Sequence, residues 1–261
     1  MKHLNQFITE YIVKKKLYKP IDSEDHYKYF PNTKEELRKN IQELLDKNIY
    51  NFNCIDTSAI TDMSKLFYNE KFEYINIDVS NWDVSNVDNM DFMFTHCFEF
   101  DCNLSKWNVS KVKSMYAIFD GCKNFKGNGL ENWDVSNVED MGFIFNNCQN
   151  FNCDLSKWDV SNVKDMSHMF KDCKYFDCDL SNWNVSKIIK SDMMFYNCKK
   201  FTGKGLENWT VGNVTDIDGM FYNCKNFDCD LSNWDVSNVK LMHFAFSFCH
   251  SLKNTPSWYK E

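Results

Sequence analysis

The sequence predicts an α/β solenoid: a right-handed superhelix of about eight rungs, each with one short parallel strand and one short helix. Tryptophan recurs every 24 to 26 residues, at positions 82, 107, 133, 158, 183, 209, 234 and 258. Apolar residues at helical spacing follow each tryptophan, and a period-two alternation precedes it. A period in the twenties is typical of solenoids, in which each repeat buries its apolar face only against its neighbours.

The repeat positions, numbered from the tryptophan, are nearly invariant. In the seven units that begin at Trp82 to Trp234, Val occupies +2, Val or Ile +5, Phe +12 and Cys +15. A degenerate unit precedes them, with Ile55 in the tryptophan column. Two insertions, Gly127–Leu130 and Gly203–Leu206, lie 76 residues apart (127 against 203) and indicate duplication of a three-unit block. Each glycine pair predicts a bulge or tight bend with positive φ.

Each element of the rung follows from a local pattern. The apolar positions +5, +8, +12 and +15 have helical spacing, and Asn137 with Asp140 resembles an N-cap with an acidic third residue. A helix of two to three turns is therefore predicted to begin near +5. From −6 to +2 polar and apolar residues alternate, as in residues 152–156, which predicts a short strand. One short strand and one short helix in 25 residues describe a leucine-rich-repeat unit.

The chain divides into four predicted parts. These are an N-terminal amphipathic segment (1–30), a helical N-cap (31–50), the leucine-rich-repeat solenoid (51–252) and a C-terminal cap (253–261). The amphipathic segment either docks on the solenoid or frays, or it is a detachable anchor for a partner or assembly.

The helical N-cap has a clear start signal. Thr33 is the predicted N-cap residue and Glu36 closes a capping box. Its predicted buried face consists of Leu37, Ile41, Leu44 and Leu45.

Two sequence motifs recur across about residues 50–255: W-D-V-S-N-V-x-D-M-x-x-M-F and F-x-x-D-L-S-x-W. They resemble the BspA-type leucine-rich-repeat surface proteins, including the mycoplasma lipoprotein-associated repeat. The resemblance implies a leucine-rich-repeat solenoid and mostly bacterial surface or adhesion-like proteins, with relatives in protists and in phages of gut bacteria. It supplies no catalytic motif. The chain departs from this pattern in its many cysteines and in lacking a signal-peptide pattern, because Lys14–Lys16 follows its apolar stripe.

Composition excludes several functions. The net charge is −7 and Arg38 is the single arginine, which disfavours nucleic-acid binding. No apolar run approaches the roughly 18 residues of a membrane span. We find no nucleophile elbow, phosphate-binding loop or zinc-protease motif, so we expect no enzyme activity and no cofactor. The expected location is cytoplasmic or assembly-associated, including a virion, although the family precedent is the bacterial cell surface.

The twelve cysteines predict a buried ladder of reduced thiols, because each falls on an inward position. Disulfides between neighbouring rungs and zinc binding by the C-x4-C pairs stay open as alternatives. Seven of the cysteines occupy the +15 column: Cys97, Cys122, Cys148, Cys173, Cys198, Cys224 and Cys249.

The predicted functional surface is the outward, acidic side of the strands, interpreted as a concave sheet face. Its residues are Asp101, Asn103, Glu131, Asn152, Asp154, Asp177, Asp179, Glu207, Asp228 and Asp230. Such a face favours a protein partner with a basic surface. Two other interpretations stay open: charges that only keep the sheet soluble, and a calcium ladder.

The function that follows is a non-enzymatic protein–protein interaction module. The alternative is a structural or decorating component of a larger assembly, with the solenoid as a rigid spacer.

Overall fold

The computed structural model describes residues 27–260. Helix α1 (Lys34–Asp46) precedes a stack of rungs built from turns, which also contains three 3₁₀ turns. These turns span Glu70–Phe72, Leu130–Asn132 and Leu206–Asn208. Apart from its last four residues, the predicted amphipathic segment 1–30 lies outside the described residues.

The short helices predicted in each rung are wrong. The +5 to +15 segment is a chain of turns, in which the N–H of Met93 donates to the C=O of Met90 (3.1 Å) and that of Cys97 to Phe94 (2.9 Å). Positions +10 and +14 have positive φ, as at Phe92 (57°) and His96 (63°). A left-handed residue stops a right-handed helix from propagating. Apolar residues three to four apart suit both a helix and consecutive turns, so the sequence pattern does not distinguish them.

The strand predicted from −6 to +2 is also wrong, since the rungs pair chiefly through positions +7 to +14. Parallel bridges join successive +7 residues, as in Asp140–Asp165, and two other bridges lie at the N-terminal end, Tyr29–Ile55 and Asn51–Asp78. The N–H groups at +8, +10, +12 and +14 donate to the C=O groups at +7, +9, +11 and +13 of the next rung. We call this segment, positions +7 to +14 of every rung, the ladder. The fold is therefore a turn-built repeat solenoid, not a leucine-rich repeat with regular strands and helices.

Aromatic side chains stack along the centre of this solenoid. The +12 ring of Phe145 lies 5.8 Å from that of Phe119 and 5.7 Å from that of Phe170, with nearly parallel planes. The tryptophans from Trp82 to Trp234 are buried and Trp258 is partly buried. Each indole N–H donates to the −3 carbonyl of the preceding rung, as in Trp158 to Leu130 (2.8 Å). The invariant Trp and Phe columns therefore hold neighbouring rungs together by stacking and by a satisfied buried hydrogen bond.

The +15 cysteines form the predicted ladder of thiols. The Sγ of Cys148 donates to the C=O of Phe119 and that of Cys173 to the C=O of Phe145, both at 3.0 Å. All twelve cysteines are free thiols in this structure. Burial raises the pKa of Cys148 and Cys173 well above the usual thiol value. These thiols are therefore neutral packing groups that also satisfy a buried carbonyl.

Helix α1 is bonded to the first rung through Lys34 and Arg38. Thr33 accepts a hydrogen bond from the N–H of Glu36 (3.2 Å), and the Glu36 carboxylate accepts from the N–H of Asn32 (2.7 Å). The capping box thus closes one residue earlier than predicted. Three of the four predicted apolar residues are buried, and the fourth, Leu45, is partly buried: Leu37, Ile41 and Leu44 are at most 3 % exposed.

Candidate binding surfaces

The predicted acidic residues lie on turns rather than on a sheet face, which corrects their placement. Asp154 Oδ1 accepts from the N–H of Ser156 (3.0 Å), and Asp179 Oδ1 from that of Ser181 (3.0 Å). Each pair is an Asx turn, in which the side chain replaces a backbone acceptor. All ten predicted residues lie at positions −6 to −2 of their rungs, a segment that contains no strand: Asp101, Asn103, Glu131, Asn152, Asp154, Asp177, Asp179, Glu207, Asp228 and Asp230.

The −6 column of the same segment connects neighbouring rungs. Asp177 Oδ1 accepts from the N–H of Thr202 (2.9 Å), and Asn152 Oδ1 from the N–H of Asp177 (3.2 Å). In the two insertion rungs, Glu131 and Glu207 accept from the N–H groups of the nearby glycines, each at 3.0 Å. The repeated acidic residues thus have a structural use as backbone caps, whatever they bind.

Hydrogen bonding explains the ionisation of these carboxyls. The side-chain hydrogen bond from Lys204 lowers the pKa of Asp179 to about 2. The N–H and hydroxyl of Ser156 lower the pKa of Asp154. Both groups are therefore anionic at neutral pH.

Removing one cap tests its structural role. We expect Asp154→Ala to lower the free energy of unfolding by about 1 kcal/mol, because the N–H of Ser156 loses its acceptor. Asp154→Asn keeps Oδ1 but removes the charge, so we expect it to lose only a fraction of this, and Asn103 already stands in the same column. Urea denaturation measures both. Because the pKa of Asp154 is lowered by folding, the benefit of its charge is present above the unfolded pKa and is lost as pH falls through the folded pKa. Equal losses for the two variants would contradict the cap.

The ladder surface differs from the turns because its outward residues change from rung to rung. In the central rungs the large and charged residues of columns +9 and +10 are half-buried, whereas the small ones (Ala117, Gly142, Ser167 and Gly219) are buried. The +9 residues are Asp91, Tyr116, Gly142, Ser167, Asp192, Asp218 and His243; the +10 residues are Phe92, Ala117, Phe143, His168, Met193, Gly219 and Phe244. Sequence reasoning missed this surface, although the variability of these columns against the invariant ones is visible in the sequence.

An outer row of aromatic rings, separate from the core, follows the ladder. Successive ring centroids lie 6.3 Å apart for Tyr68–Phe92, 5.2 Å for Phe92–Tyr116, 5.5 Å for Tyr116–Phe143 and 4.2 Å for Phe143–His168. We call these five residues the outer aromatic row. Burial lowers the pKa of His168 to about 4, so its stacked ring is neutral at pH 7. The row presents a broad, partly exposed aromatic surface of the kind enriched at protein interfaces.

Carboxylates lie beside this row and repel one another. Burial raises the pKa of Asp140, and the charges of Asp165 and Asp91 add to the shift. Burial likewise raises the pKa of Asp192, with Asp216 as the next cause. The ladder therefore combines aromatic area with negative charge that a cationic partner would relieve.

The raised pKa of Asp140 leads to a pH-dependent prediction. Asp140→Asn keeps the oxygen that accepts from the N–H of Gly142 (2.9 Å) but removes the charge. We expect it to raise the free energy of unfolding at pH 7 by about 0.5 kcal/mol, a small gain because solvent screens a half-exposed carboxylate.

The same substitution should lose its benefit in acid. A folded pKa above the unfolded one means that the charged form destabilises the native state, and the penalty disappears as pH falls below both values. Urea denaturation at pH 7 and pH 3 measures this difference. A variant less stable than the wild type at pH 7 would show that Asp140 is not destabilising.

Two cysteines outside the +15 column lie near the surface. Burial raises the pKa of the half-buried Cys153 and Cys229 to about 12, so neither is a thiolate nucleophile at neutral pH. Within residues 27–260, no group of three or more His, Cys, Asp and Glu side chains is arranged to hold a metal ion. Over the same stretch, no helix is both long and apolar enough to cross a membrane.

The comparisons with solved and curated proteins add little. A chain of the "Crystal structure of TLR13-ssRNA13 complex" matches 84 % of this chain at 9 % identity, with a TM-score of 0.22. The match spans 48 % of that chain, about half its length. At this TM-score the likeness carries no argument about fold or ligand. No curated protein matches the chain.

The family comparison agrees with the internal repeats. The sequence model of a family described as "Mycoplasma protein of unknown function, DUF285" matches residues 34–129, 115–205 and 201–260. Together these matches cover α1 and every rung of the solenoid. The chain therefore belongs to this mycoplasma DUF285 repeat family.

Proposed function

We propose that the protein is a non-enzymatic protein-binding solenoid whose partner lies across the ladder surface. One observation carries the proposal: the inward columns of the rungs repeat, whereas the pair of residues at +9 and +10 of the ladder is different in every rung. Stacking requires the inward residues to be alike, but it places no such demand on the outward ones. A non-repeating surface gives a partner one defined position along the axis, which a repeating surface does not.

The charge of the ladder indicates a partner with a basic surface. Within positions +7 to +14 of the rungs, lysine occurs only as Lys65, Lys171 and Lys190. The acidic residues of the same positions are Asp62, Asp91, Asp120, Asp140, Asp165, Asp172, Asp192, Asp216 and Asp218. A cationic partner would be steered to this face and would relieve its repulsion.

A rigid spacer in a larger assembly, at a cell surface or in a virion, is the second candidate. It is favoured by the hydrogen bonds that already engage the acidic turn residues in holding the rungs together. In that case, binding would depend on residues 1–26 or on the ends of the solenoid.

A crosslinking pull-down from the source organism separates these functions. The ladder variant combines Phe143→Asn with Asp192→Lys. The turn variant replaces Asp154, Asp177, Asp179 and Asp230 with Asn, which keeps their cap oxygens. A third protein lacks residues 1–26.

Loss of a specific partner in the ladder variant alone supports the proposal. Loss in the turn variant alone would place binding on the acidic turns predicted from the sequence. Retention in both variants with loss on deletion would make the solenoid a spacer. Thermal melting of each variant confirms that it remains folded.

A further inference from the structure

The ladder has a polarity along the solenoid axis. In every rung from that of Trp82 to that of Trp209, the four ladder N–H groups point toward the next rung, and the C=O groups that pair with them point back. The rung of Trp234 therefore presents only donors at its free edge. The N–H groups of Met242, Phe244, Phe246 and Phe248 have no acceptor among residues 27–260.

The opposite end of the ladder is covered. Lys34 of α1 lies 3.0 Å from Asp62 and donates to Ser64 (2.7 Å), and Arg38 donates to the C=O of Lys65 (3.3 Å). The apolar face of α1 packs on the same rung. The two ends are therefore chemically different: a helix caps one, whereas at the other Trp258 and Tyr259 cover the Phe246 ring and the ladder N–H groups keep no acceptor among residues 27–260.

Large apolar side chains surround the open donors. Leu241 is 46 % exposed, Phe244 64 % and Phe248 56 %. In the middle of the ladder, the equivalent +10 ring of Phe143 stacks on His168 of the next rung. In the rung of Trp234, no described residue packs on the +10 ring of Phe244 in this way, and the ring stays exposed.

The charge of this end is opposite to that of the whole protein. Residues 235–261 contain three lysines (Lys240, Lys253 and Lys260) and two histidines against two acidic residues, Asp235 and Glu261, whereas the complete chain has a net charge of −7. His243 lies 3.2 Å from Asp218 of the preceding rung. Lys253 pairs with Asp228 of the preceding rung (2.5 Å). The edge thus combines unpaired backbone donors, exposed aromatic rings and positive charge.

We propose that this edge, formed by residues 239–250, binds an extended acidic segment of a partner protein by strand addition. Carbonyl groups of the segment would accept from the four N–H donors, its apolar residues would cover Phe244 and Phe248, and its carboxylates would face the lysines. Main-chain hydrogen bonds of this kind provide affinity, and side-chain pockets provide selectivity. The surface is independent of the central ladder and takes a partner of opposite charge.

A second copy of the chain fits this edge less well. Two open ends placed against each other would bring donors against donors. A head-to-tail contact would meet α1 instead of free carbonyls. The acidic segment is therefore the occupant that the hydrogen-bond polarity and the charge both favour.

A peptide of the chain's own rung is a suitable probe. Residues 136–148 contain Glu139 and Asp140, and their carbonyls already accept from the preceding rung, as in the N–H of Ala117 to Gly142 (2.8 Å). A fluorescein-labelled peptide of this sequence is titrated with the full chain and followed by anisotropy. The control peptide carries Glu139→Lys and Asp140→Lys.

The protein variant is Phe244→Asn with Phe248→Asn. Both residues have positive φ, 57° and 63°, which asparagine tolerates well, so the variant should keep its melting temperature. Phe143→Asn, at the same +10 position with φ 57°, is the matched control in the central ladder. Lys240→Glu with Lys260→Glu is a second variant that leaves the aromatic rings in place.

We expect saturable binding that weakens about tenfold or more in each edge variant, weakens with added salt and is unchanged in Phe143→Asn. The lysine peptide should bind much more weakly. No saturable binding, or equal affinity for both peptides, would overturn the proposal. A dimer of the wild-type chain that dissociates in the Phe244→Asn/Phe248→Asn variant would also overturn it, because a second copy would then occupy the edge. Light scattering detects such a dimer. The pull-down tests the central ladder through Phe143→Asn, and the peptide titration tests the edge through Phe244→Asn/Phe248→Asn. Because the two experiments change different residues, either proposal can fail without the other.

Discussion

Replacing Gly129 or Gly205 with alanine is expected to lower the free energy of unfolding by about 2–5 kcal/mol. Both glycines have left-handed backbone conformations, with φ of 93° and 94°, which cost other residues about 1–2 kcal/mol. An added Cβ would also lie 2.2 Å from the backbone N of Ser105 or Ser181 in the preceding rung. Backbone atoms within a stacked solenoid cannot move aside, so overpacking adds about 1–3 kcal/mol.

Gly212→Ala is the matched control for this prediction. Gly212 has no positive φ, and an added Cβ would meet only the carboxylate of Asp235, at 3.3 Å. We expect a change within about 0.5 kcal/mol. Urea denaturation followed by tryptophan fluorescence measures all three variants. A loss at Gly129 no larger than that at Gly212 would contradict the close approach between rungs.

Phe145→Ala is expected to cost about 3–5 kcal/mol, the usual range for a buried phenylalanine. Its side chain is fully buried, and its ring stacks on Phe119, Phe151 and Phe170. Each rung of a solenoid is stabilised by its two neighbours, so a cavity in the middle weakens two interfaces at once.

Phe246→Ala in the last rung provides the comparison. The Phe246 ring is 6 % exposed and stacks on Phe221 of the preceding rung, with Trp258 and Tyr259 on its other side. We expect a smaller loss, at the lower end of the same range, about 3 kcal/mol. Denaturation curves of the two variants decide the order. An equal or larger loss at Phe246 would show that the rungs do not depend on both neighbours.

The positions that pack on identical copies were predictable from sequence. The Trp, Phe and +15 Cys columns are buried as their invariance indicated, apart from the partly buried Cys249 and Trp258 near the C-terminal end. The glycines of the insertions have the expected positive φ. The start of α1 at Thr33 followed from its capping residues. These features depend on one residue type or on a few residues close in sequence, so local patterns suffice to find them.

The conformation of the rung was not predictable in the same way. Residues three to four apart bury one face in a helix, but in this chain they bury one face of consecutive turns closed by bonds such as Met93 to Met90. The next rung competes with a helix, because its C=O groups accept from the N–H groups that a helix would bond internally. That acceptor is about 25 residues away, as in Phe92 to Tyr116, and no local pattern reveals it.

The candidate surfaces also differ in whether the sequence alone could reveal them. Repeated aspartates such as Asp154 stand out in the sequence because every rung needs the same cap, and they were predicted as a binding face for that reason. The outer aromatic row and the donor edge at Phe244 arise only when rungs are placed side by side. By itself, the sequence determined that the chain is a solenoid and which residues fill its core, because burial depends on residue type and period. Only the tertiary structure decided which side chains and backbone groups face outward, because that depends on hydrogen bonds between rungs.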